Sequence, residues 1–552
     1  MSLPPKVTIP KVTIIVTQRE RTSLTERSLE SILACRALPF RLIYVDGGAP
    51  EAVRAYLERR AMDADFMLIR RPAPLWPNIA RNLALTYVET EYVAFVDNDI
   101  EVEPGWLATL VACAEETGAA LVGPLYLWSD GVGEPRIHMA GGVLTQVKTP
   151  SGPALHERHD RINAPLSDRA KLARTECDFL EYHCMLARTD FLRRIGGLSE
   201  DIVCVHEHID IALDARAAGL SVVLEPHAAA TYLAFAPYCL SDLEFFRWRW
   251  NADAAARSLA AFSKTWDVVD DADATAGVRA FVHGHAAGVD PIVPELRARL
   301  TQAPLAAAEV KQTLYAVLTQ AAAMGYAKAD LELFSKAYNA AMTLFAAGFR
   351  PCARPFILHC VGVASALVAF GFAPRVVVVG LLHAAYSHAP LGPRPHAALD
   401  DLADQLRATF GERTERAIRN HARFQLDRDA WRDAHPIESL TLDDAQTVAI
   451  AIANEIDEYA SGEVAFTAKA ALDAPEWSTY FRAVSTALGI PAFAETLFQF
   501  SRTAAPSGFD MQRPHSQSFR LVKGGIAPMA HGAFRAWDET QLQARGAPAL
   551  TA

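Results

Sequence analysis

The stretch Tyr92-Val93-Ala94-Phe95-Val96-Asp97-Asn98-Asp99-Ile100-Glu101 decides how this chain is read. Its apolar first half predicts a buried strand, and the run ends abruptly in carboxylates. Asp97 and Asp99 stand two apart, so an extended backbone would point both side chains to one side, where they could share a cation. An all-oxygen pair suits Mg²⁺ or Mn²⁺. These ions keep open positions for phosphate oxygens, which lets them hold a diphosphate and neutralise its departing charge. The competing reading is a strand that simply runs into an acidic turn, and the flanking sequence has to choose.

Upstream, residues 12–17 are a compact β-branched run, and residues 25–34 follow with Leu29, Ile32 and Leu33 at helical spacing. Residues 40–45 are again strand-like and stop at Asp46-Gly47-Gly48; 51–60 read as helix, 66–69 as strand, 79–88 as helix and 92–96 as the fourth strand. Such alternation predicts a parallel, right-handed βαβ sheet whose ligands gather at the carboxyl ends of its strands. Polar groups cluster at three of those ends: Thr17-Gln18-Arg19-Glu20, Asp46 and Asp97-Asn98-Asp99.

The chain has 552 residues, 51% of them hydrophobic and 21% charged, which is room for more than one core and predicts two or three domains. A net charge of −11 argues against a nucleic-acid or anionic-membrane surface. Eight scattered cysteines without a Cys-x-x-Cys pair indicate neither a disulfide framework nor a zinc knuckle, and fit a reducing cytoplasm. The apolar stretches 360–372 and 376–382 are each too short to span a bilayer, so no transmembrane segment is expected; the location expected is cytoplasmic, or peripheral at the inner membrane face.

The order Val12-Thr13-Ile14-Ile15-Val16-Thr17, Val45-Asp46-Gly47-Gly48, Asn78-Ile79-Ala80-Arg81-Asn82 and Asp97-Asn98-Asp99 resembles family 2 glycosyltransferases of GT-A fold over roughly residues 10–265. The resemblance implies a Rossmann-like, mostly parallel sheet. It implies donor-binding roles for Thr17, Arg19, Glu20, Asp46, Asn78, Arg81, Asp97 and Asn98, and Mn²⁺ or Mg²⁺ on Asp97 and Asp99. The chain departs from the family where Gln18-Arg19 replaces a usual Tyr-Asn pair and where Gly47 replaces an acidic or amide residue.

Ile195-Gly196-Gly197-Leu198 followed by Val205-His206-Glu207-His208-Ile209-Asp210 continues the resemblance, with His208 where an Asp is usual. The residue that takes the acceptor's proton is implied to lie here: Glu207, with His208 as rival, since an imidazole can accept a proton near neutral pH, and Asp210 in the acceptor region as a helix-start residue or one supporting the base from behind. An acidic first turn complementing the helix dipole is the competing explanation. Residues 177–188 resemble the sugar and acceptor lining, which makes Asp178, Glu181 and His183 site candidates, His183 standing evenly between a ligand and a core histidine. Tyr232 stands where relatives often carry a metal-facing His, and His227 reads as a surface residue. The aromatics Phe245, Phe246, Trp248, Trp250, Phe262 and Trp266 read as packing against the sheet. Residues 131–168, rich in Gly, Pro, His and charge, read as a mobile loop over the donor.

Residues 269–305 read as a linker. After it the periodicity is helical and no strand pair is evident, so the second domain, 306–505, is expected to be all-α, with a partly ordered tail at 506–552. His359 and Gly380-Leu381-Leu382-His383-Ala384 resemble the HD superfamily of helical phosphohydrolases, but Ala384 replaces the metal-binding Asp, leaving Asn454 or Asp457 as the only later candidate. An apolar methyl cannot coordinate a metal, so this domain is expected to be non-catalytic.

The expectation is therefore α/β plus all-α: a GT-A domain at 1–268 and an HD-like helical domain. The function expected is a metal-dependent, inverting, hexosyltransferase-like enzyme. Its donor would be a nucleotide sugar, a UDP-sugar above all, and its acceptor a glycan or glycoconjugate in bacterial polysaccharide synthesis, with a homodimer in keeping with the extra domain. A glycan- or nucleotide-binding scaffold and a phosphohydrolase centred on the helical domain are the rivals.

Overall fold

The computed structural model describes residues 10–35, 37–131, 133–269, 272–390, 394–466, 475–503, 518–523, 525–528 and 532–544. It divides into two units between Ala286 and Ala287. That division lies inside the stretch read as a linker, which is not a plain linker: it includes the helix Ala272–Val289 and the tight turn Pro294–Arg299.

The first unit contains strands β1 (Val12–Thr17), β2 (Phe40–Gly47), β3 (Met67–Arg71), β4 (Tyr92–Asp97), β5 (Ile100–Val102), β6 (Leu121–Trp128), β7 (Arg136–Met139), β8 (Gly142–Thr149), β9 (Gly152–His159), β10 (Thr175–Glu176), β11 (Cys184–Arg188) and β12 (Val222–Tyr232). Ten of them form one sheet in the order β10-β12-β6-β11-β4-β1-β2-β3, with β5 and β7 attached to β12 and β6. β1 and β4 are buried at every residue, as the central strands of a doubly covered sheet must be, which is why their sequences are apolar runs without alternation.

Strands β1 to β4 are connected through the helices Thr25–Ala34, Glu51–Ala64 and Pro77–Leu85 and pair in parallel. The chain steps outward from β1 to β2 and β3, then returns to the other flank of β1 as β4. This reversal is the switch point at which α/β sheets open a crevice, and it brings Thr17 opposite Asp97. The expected parallel sheet stops there. β11 runs antiparallel to both β4 and β6, so the sheet is mixed; only β6 and β12 pair in parallel beyond it. Residues 131–168 are not a mobile loop either. They hold β7 and the β8–β9 hairpin, whose register runs unbroken from Gly142↔His159 to Thr149↔Gly152.

The second unit is built on the helices Phe356–Ala369 and Leu442–Ala460, both buried along nearly their whole length, with Lys328–Phe345, Pro374–Leu382, Glu412–Leu426 and Pro491–Thr503 around them. It is not purely helical. Gly348–Phe349, Phe519–Val522 and Gly525–Pro528 form a small antiparallel sheet. These strands are two and four residues long, too short to show a period, and two lie in the stretch read as a tail. That stretch also carries the helix Gly532–Ala544, with Phe534 and Trp537 buried; the remainder of the tail expectation, at 506–517 and 545–552, falls outside the described residues. Among the described residues no helix is long and apolar enough to cross a membrane.

Candidate active site at the carboxyl ends of the strands

The backbone does not stay extended through Asp97-Asn98-Asp99; it leaves β4 at Asp97 and turns. Asn98 pins the turn. Its N–H donates to the Thr17 carbonyl (3.0 Å), its Oδ1 accepts from the Arg19 N–H (2.8 Å), and its Nδ2 donates to the Arg21 carbonyl (3.1 Å) and to Thr25 Oγ1 (3.2 Å). Asn98 is thus a structural fastener and offers nothing to a donor.

The two aspartates meet different surroundings. Asp97 Oδ1 accepts from Arg81 Nη2 and Oδ2 from Arg19 Nη1, both at 3.2 Å, with His183 Nδ1 3.3 Å from Oδ2. Burial pushes its acid upward, but His183, Arg81 and Arg19 outweigh burial and bring it down to about 2. Asp99 is fully buried and neither of its oxygens has a hydrogen-bond partner. Burial lifts its acid to about 7, with Arg19 opposing and Asp97 and Glu20 adding. An orphaned buried carboxylate is costly unless a proton or a cation completes it, and its hard oxygens fit Mg²⁺ or Mn²⁺. Asp97 has an arginine donor on each oxygen, so within the pair the oxygens without a partner are those of Asp99.

The predicted donor residues are brought together, though several are consumed by the fold. Asn78 and Asn82, one turn apart on the helix Pro77–Leu85, clamp the distant backbone at Leu198 and Ser199: Asn78 Nδ2 donates to the Ser199 carbonyl (2.8 Å), while Asn82 Nδ2 donates to the Leu198 carbonyl (2.8 Å) and Oδ1 accepts the Leu198 N–H (2.9 Å). Asn78 Oδ1 also accepts from Arg81 Nη1 (3.1 Å), and the Arg81 guanidinium lies 3.7 Å over the Tyr182 ring, so Arg81 is fixed on Asp97. Asp46 accepts from Gln18 Nε2 (3.2 Å), the Ala49 N–H (2.8 Å) and Arg70 Nε (3.3 Å). Gln18 Oε1 takes the Gly47 N–H (2.8 Å); a Cβ on Gly47 would stand 3.0 Å from Leu75 N, which accounts for the glycine there.

Glu20 is not an open nucleoside contact. It is wholly buried, accepts from Tyr232 Oη (2.6 Å), Tyr238 Oη (3.0 Å) and Trp250 Nε1, and has His285 Nε2 at 3.5 Å. Burial raises its acid, but His285, Arg19 and Arg21 hold it well below the usual range. Tyr232 is therefore occupied as a donor to Glu20, and Trp250 does more than pack.

Farther along the chain, Glu207 opens the helix Glu207–Ala217 directly after His206, whose φ of 66° makes the sharp entry. Glu207 is buried with Oε1 3.7 Å from Arg249 Nη2. His208 Nε2 faces two carboxylates, Glu157 Oε2 at 3.5 Å and Glu181 Oε1 at 4.0 Å. Burial alone would depress that imidazole, but Glu181 and Glu157 raise it to about 9, so the rival base is already protonated at neutral pH. Asp210 Oδ1 accepts from Trp266 Nε1 (2.8 Å), in a supporting place. Asp178 is spent on the hairpin: Oδ2 accepts the Leu144 N–H (2.8 Å) and Oδ1 pairs with Arg216. His183 belongs to the site, stacked on Tyr232 (4.3 Å between rings) with Nδ1 3.0 Å from Arg19 Nη1. His227 is exposed as expected, its Nδ1 2.7 Å from Glu225 Oε1.

Sequence reasoning missed His138, Glu157 and His159, because the segment that carries them was read as a loop. The signal was present: Glu157 and His159 are two apart, the spacing that puts them on one face of a strand.

In the second unit His359 is saturated, with Nδ1 2.7 Å from Asp457 Oδ2 and Nε2 3.0 Å from Asn454 Oδ1. Asp457 in turn accepts twice from Arg354 (2.9 Å each) and once from Gln312 (2.9 Å), and His383 Nδ1 donates to the Gly380 carbonyl (2.7 Å). A metal would have to break this closed network, so the donor set does not fit the ion of an HD enzyme.

Residues 13–195 match the family described as Glycosyl transferase family 2. Among curated proteins, the chain is 30% identical to the uncharacterized protein y4gI of Sinorhizobium fredii over 226 residues, 40% of this chain and 24% of that one. It is 25% identical to the O-antigen biosynthesis protein RfbC of Myxococcus xanthus, covering 39% of this chain and 16% of that one. Identity to the pre-mycofactocin glycosyltransferase of Mycobacterium tuberculosis is 23%, over 40% of this chain and 42% of that one. The chain thus spans less than half the length of each of these relatives. The stretch similar to that family, residues 13–195, is the one that supplies the aspartate turn and its arginines.

Proposed function

We propose that this chain transfers a sugar from a nucleotide-diphosphate donor, a UDP-sugar first among them, to a hydroxyl of a glycan or glycoconjugate, with inversion at the anomeric carbon. The observation that carries the reading is Asp99: a buried carboxylate with two unpartnered oxygens, at the switch point of the sheet, two residues from Asp97, on which Arg19 and Arg81 converge. A Mg²⁺ or Mn²⁺ ion bound at Asp99 would supply charge neutralisation for the leaving diphosphate. Arg19 and Arg81 are placed to bind and orient its oxygens, as guanidinium forks suit phosphate.

Glu207 takes the proton of the acceptor hydroxyl as that oxygen bonds to the anomeric carbon and the bond from that carbon to the phosphate oxygen breaks. We favour Glu207 over His208 because the carboxylates of Glu157 and Glu181 face His208 Nε2 and favour the protonated imidazole. A role in bacterial surface-polysaccharide synthesis is in keeping with the O-antigen biosynthesis protein among the relatives. The helical unit is proposed to be non-catalytic, its His359 network being closed.

The test is a thermal-shift and donor-hydrolysis screen of nucleotide sugars with and without Mn²⁺. Metal-dependent stabilisation and slow hydrolysis that disappear in Asp99→Asn support the proposal; turnover indifferent to Asp99→Asn, or binding of no nucleotide sugar, overturns it.

A further inference from the structure

Away from the aspartate turn, β9, the segment before β11 and the first turn of the helix Glu207–Ala217 bring two glutamates and two histidines together. We infer that Glu157, His159, Glu181 and His208 form a site for a divalent transition-metal ion of the zinc class.

The geometry approaches the one a tetrahedral ion requires. Zinc bonds to imidazole nitrogen and carboxylate oxygen of about 2.0–2.2 Å place neighbouring ligand atoms about 3.3–3.6 Å apart. Here His159 Nε2 lies 3.4 Å from Glu181 Oε1, His208 Nε2 lies 3.5 Å from Glu157 Oε2, and His208 Nε2 lies 4.0 Å from Glu181 Oε1. Ligand atoms of Glu157, His159 and His208 all fall within 4.8 Å of one another. Two imidazoles with two carboxylates favour zinc-class ions over Mg²⁺ or Ca²⁺, which prefer oxygen alone.

A second observation points to a ligand. The His208 Nε2 is buried and makes no hydrogen bond of normal geometry, so a ring nitrogen aimed at two carboxylates is left incomplete. Its ring is nevertheless held in place. Phe179 packs against both His159 (5.6 Å) and His208 (5.4 Å), and it fits only because residue 142 is glycine: a Cβ there would come within 2.2 Å of the Phe179 ring. Orientation of metal-binding imidazoles by their surroundings is what such sites need. The Glu157 side chain, 30% exposed, leaves an entry path.

The site has a place in the unit's architecture. An ion held by these four residues would tie the β8–β9 hairpin to the helix that begins at Glu207, one residue before His208. It would brace the region of the acceptor side without taking part in the chemistry.

The experiment uses the full chain, stripped with chelator and titrated with Co²⁺ and then Zn²⁺, read by visible absorption and calorimetry. We expect one Co²⁺ per chain with the intense visible bands of tetrahedral coordination, displaced by Zn²⁺ and retained in Asp99→Asn. His159→Gln and Glu157→Gln, both on a solvent-reachable hairpin, should each weaken binding by more than the roughly 10–100-fold typical of a lost outer-sphere partner. Circular dichroism checks that each variant is folded. No stoichiometric binding, octahedral spectra, or binding lost in Asp99→Asn but kept in both hairpin variants would overturn the inference and leave a proton-bridged histidine and glutamate network.

Discussion

Asp97 and Asp99 stand two residues apart and carry opposite electrostatic loads: two arginines satisfy the first, and nothing satisfies the second. Their substitutions should therefore separate. Asp97→Asn strands Arg19 and Arg81 and should cost about 3 kcal/mol of stability, measurable by chemical denaturation. Asp99→Asn removes an orphan charge and should leave stability unchanged or higher while reducing metal-dependent turnover by roughly 100-fold or more.

Glu207→Gln removes the proposed base and should lower the transfer rate by about 10²–10⁴-fold without abolishing donor binding, which thermal shift reports. If His208→Gln gives the larger loss of transfer with donor and metal binding intact, the two roles are reversed.

Tyr232→Phe deletes the 2.6 Å hydrogen bond to a buried carboxylate. The expected destabilisation is about 2 kcal/mol, read as a lower denaturation midpoint.

Burial, then the charges of His359 and Arg350, push His383 down to about 3, with the Gly380 carbonyl and Glu458 opposing. The unfolded chain binds a proton at this residue near pH 6.5 and the folded one does not until far lower. Stability from this group is thus complete above about pH 6.5 and is lost as pH falls toward 3. His383→Asn should show a shallower loss over that window in denaturation curves taken at successive pH values.

Gly362 lies where a Cβ would come within 1.7 Å of Asp457 Oδ1. Gly362→Ala should therefore displace Asp457 from His359 and Arg354, costing roughly 3 kcal/mol or more in the unfolding of the helical unit.

The parallel half of the sheet was legible because its central strands β1 and β4 are nearly continuous buried apolar or β-branched runs and because strands alternate with helices along the chain. The mixed half was not, since antiparallel insertion of β11 between β4 and β6 depends on partners distant in sequence. The aspartate turn could be located but not described: sequence spacing assumed an extended backbone, whereas Asn98 folds it over. Glu20 looked like a ligand because it is polar at a strand end, and its true partners, Tyr232, Tyr238, Trp250 and His285, lie more than two hundred residues away. The β8–β9 hairpin was hidden by its turn-rich composition, and with it half of the histidine and glutamate cluster.

Glu20 also sets how short a working fragment of the first unit can be. The family match ends at residue 195, yet Tyr232, Tyr238 and Trp250, which donate to this glutamate, and His285, which lies beside it, all come later. Trimming to the matched region would remove all three hydrogen bonds to this carboxylate and leave only Arg19 and Arg21 to offset its charge. A truncation meant for crystallisation or assay has to keep the chain through His285, well beyond the border that homology draws.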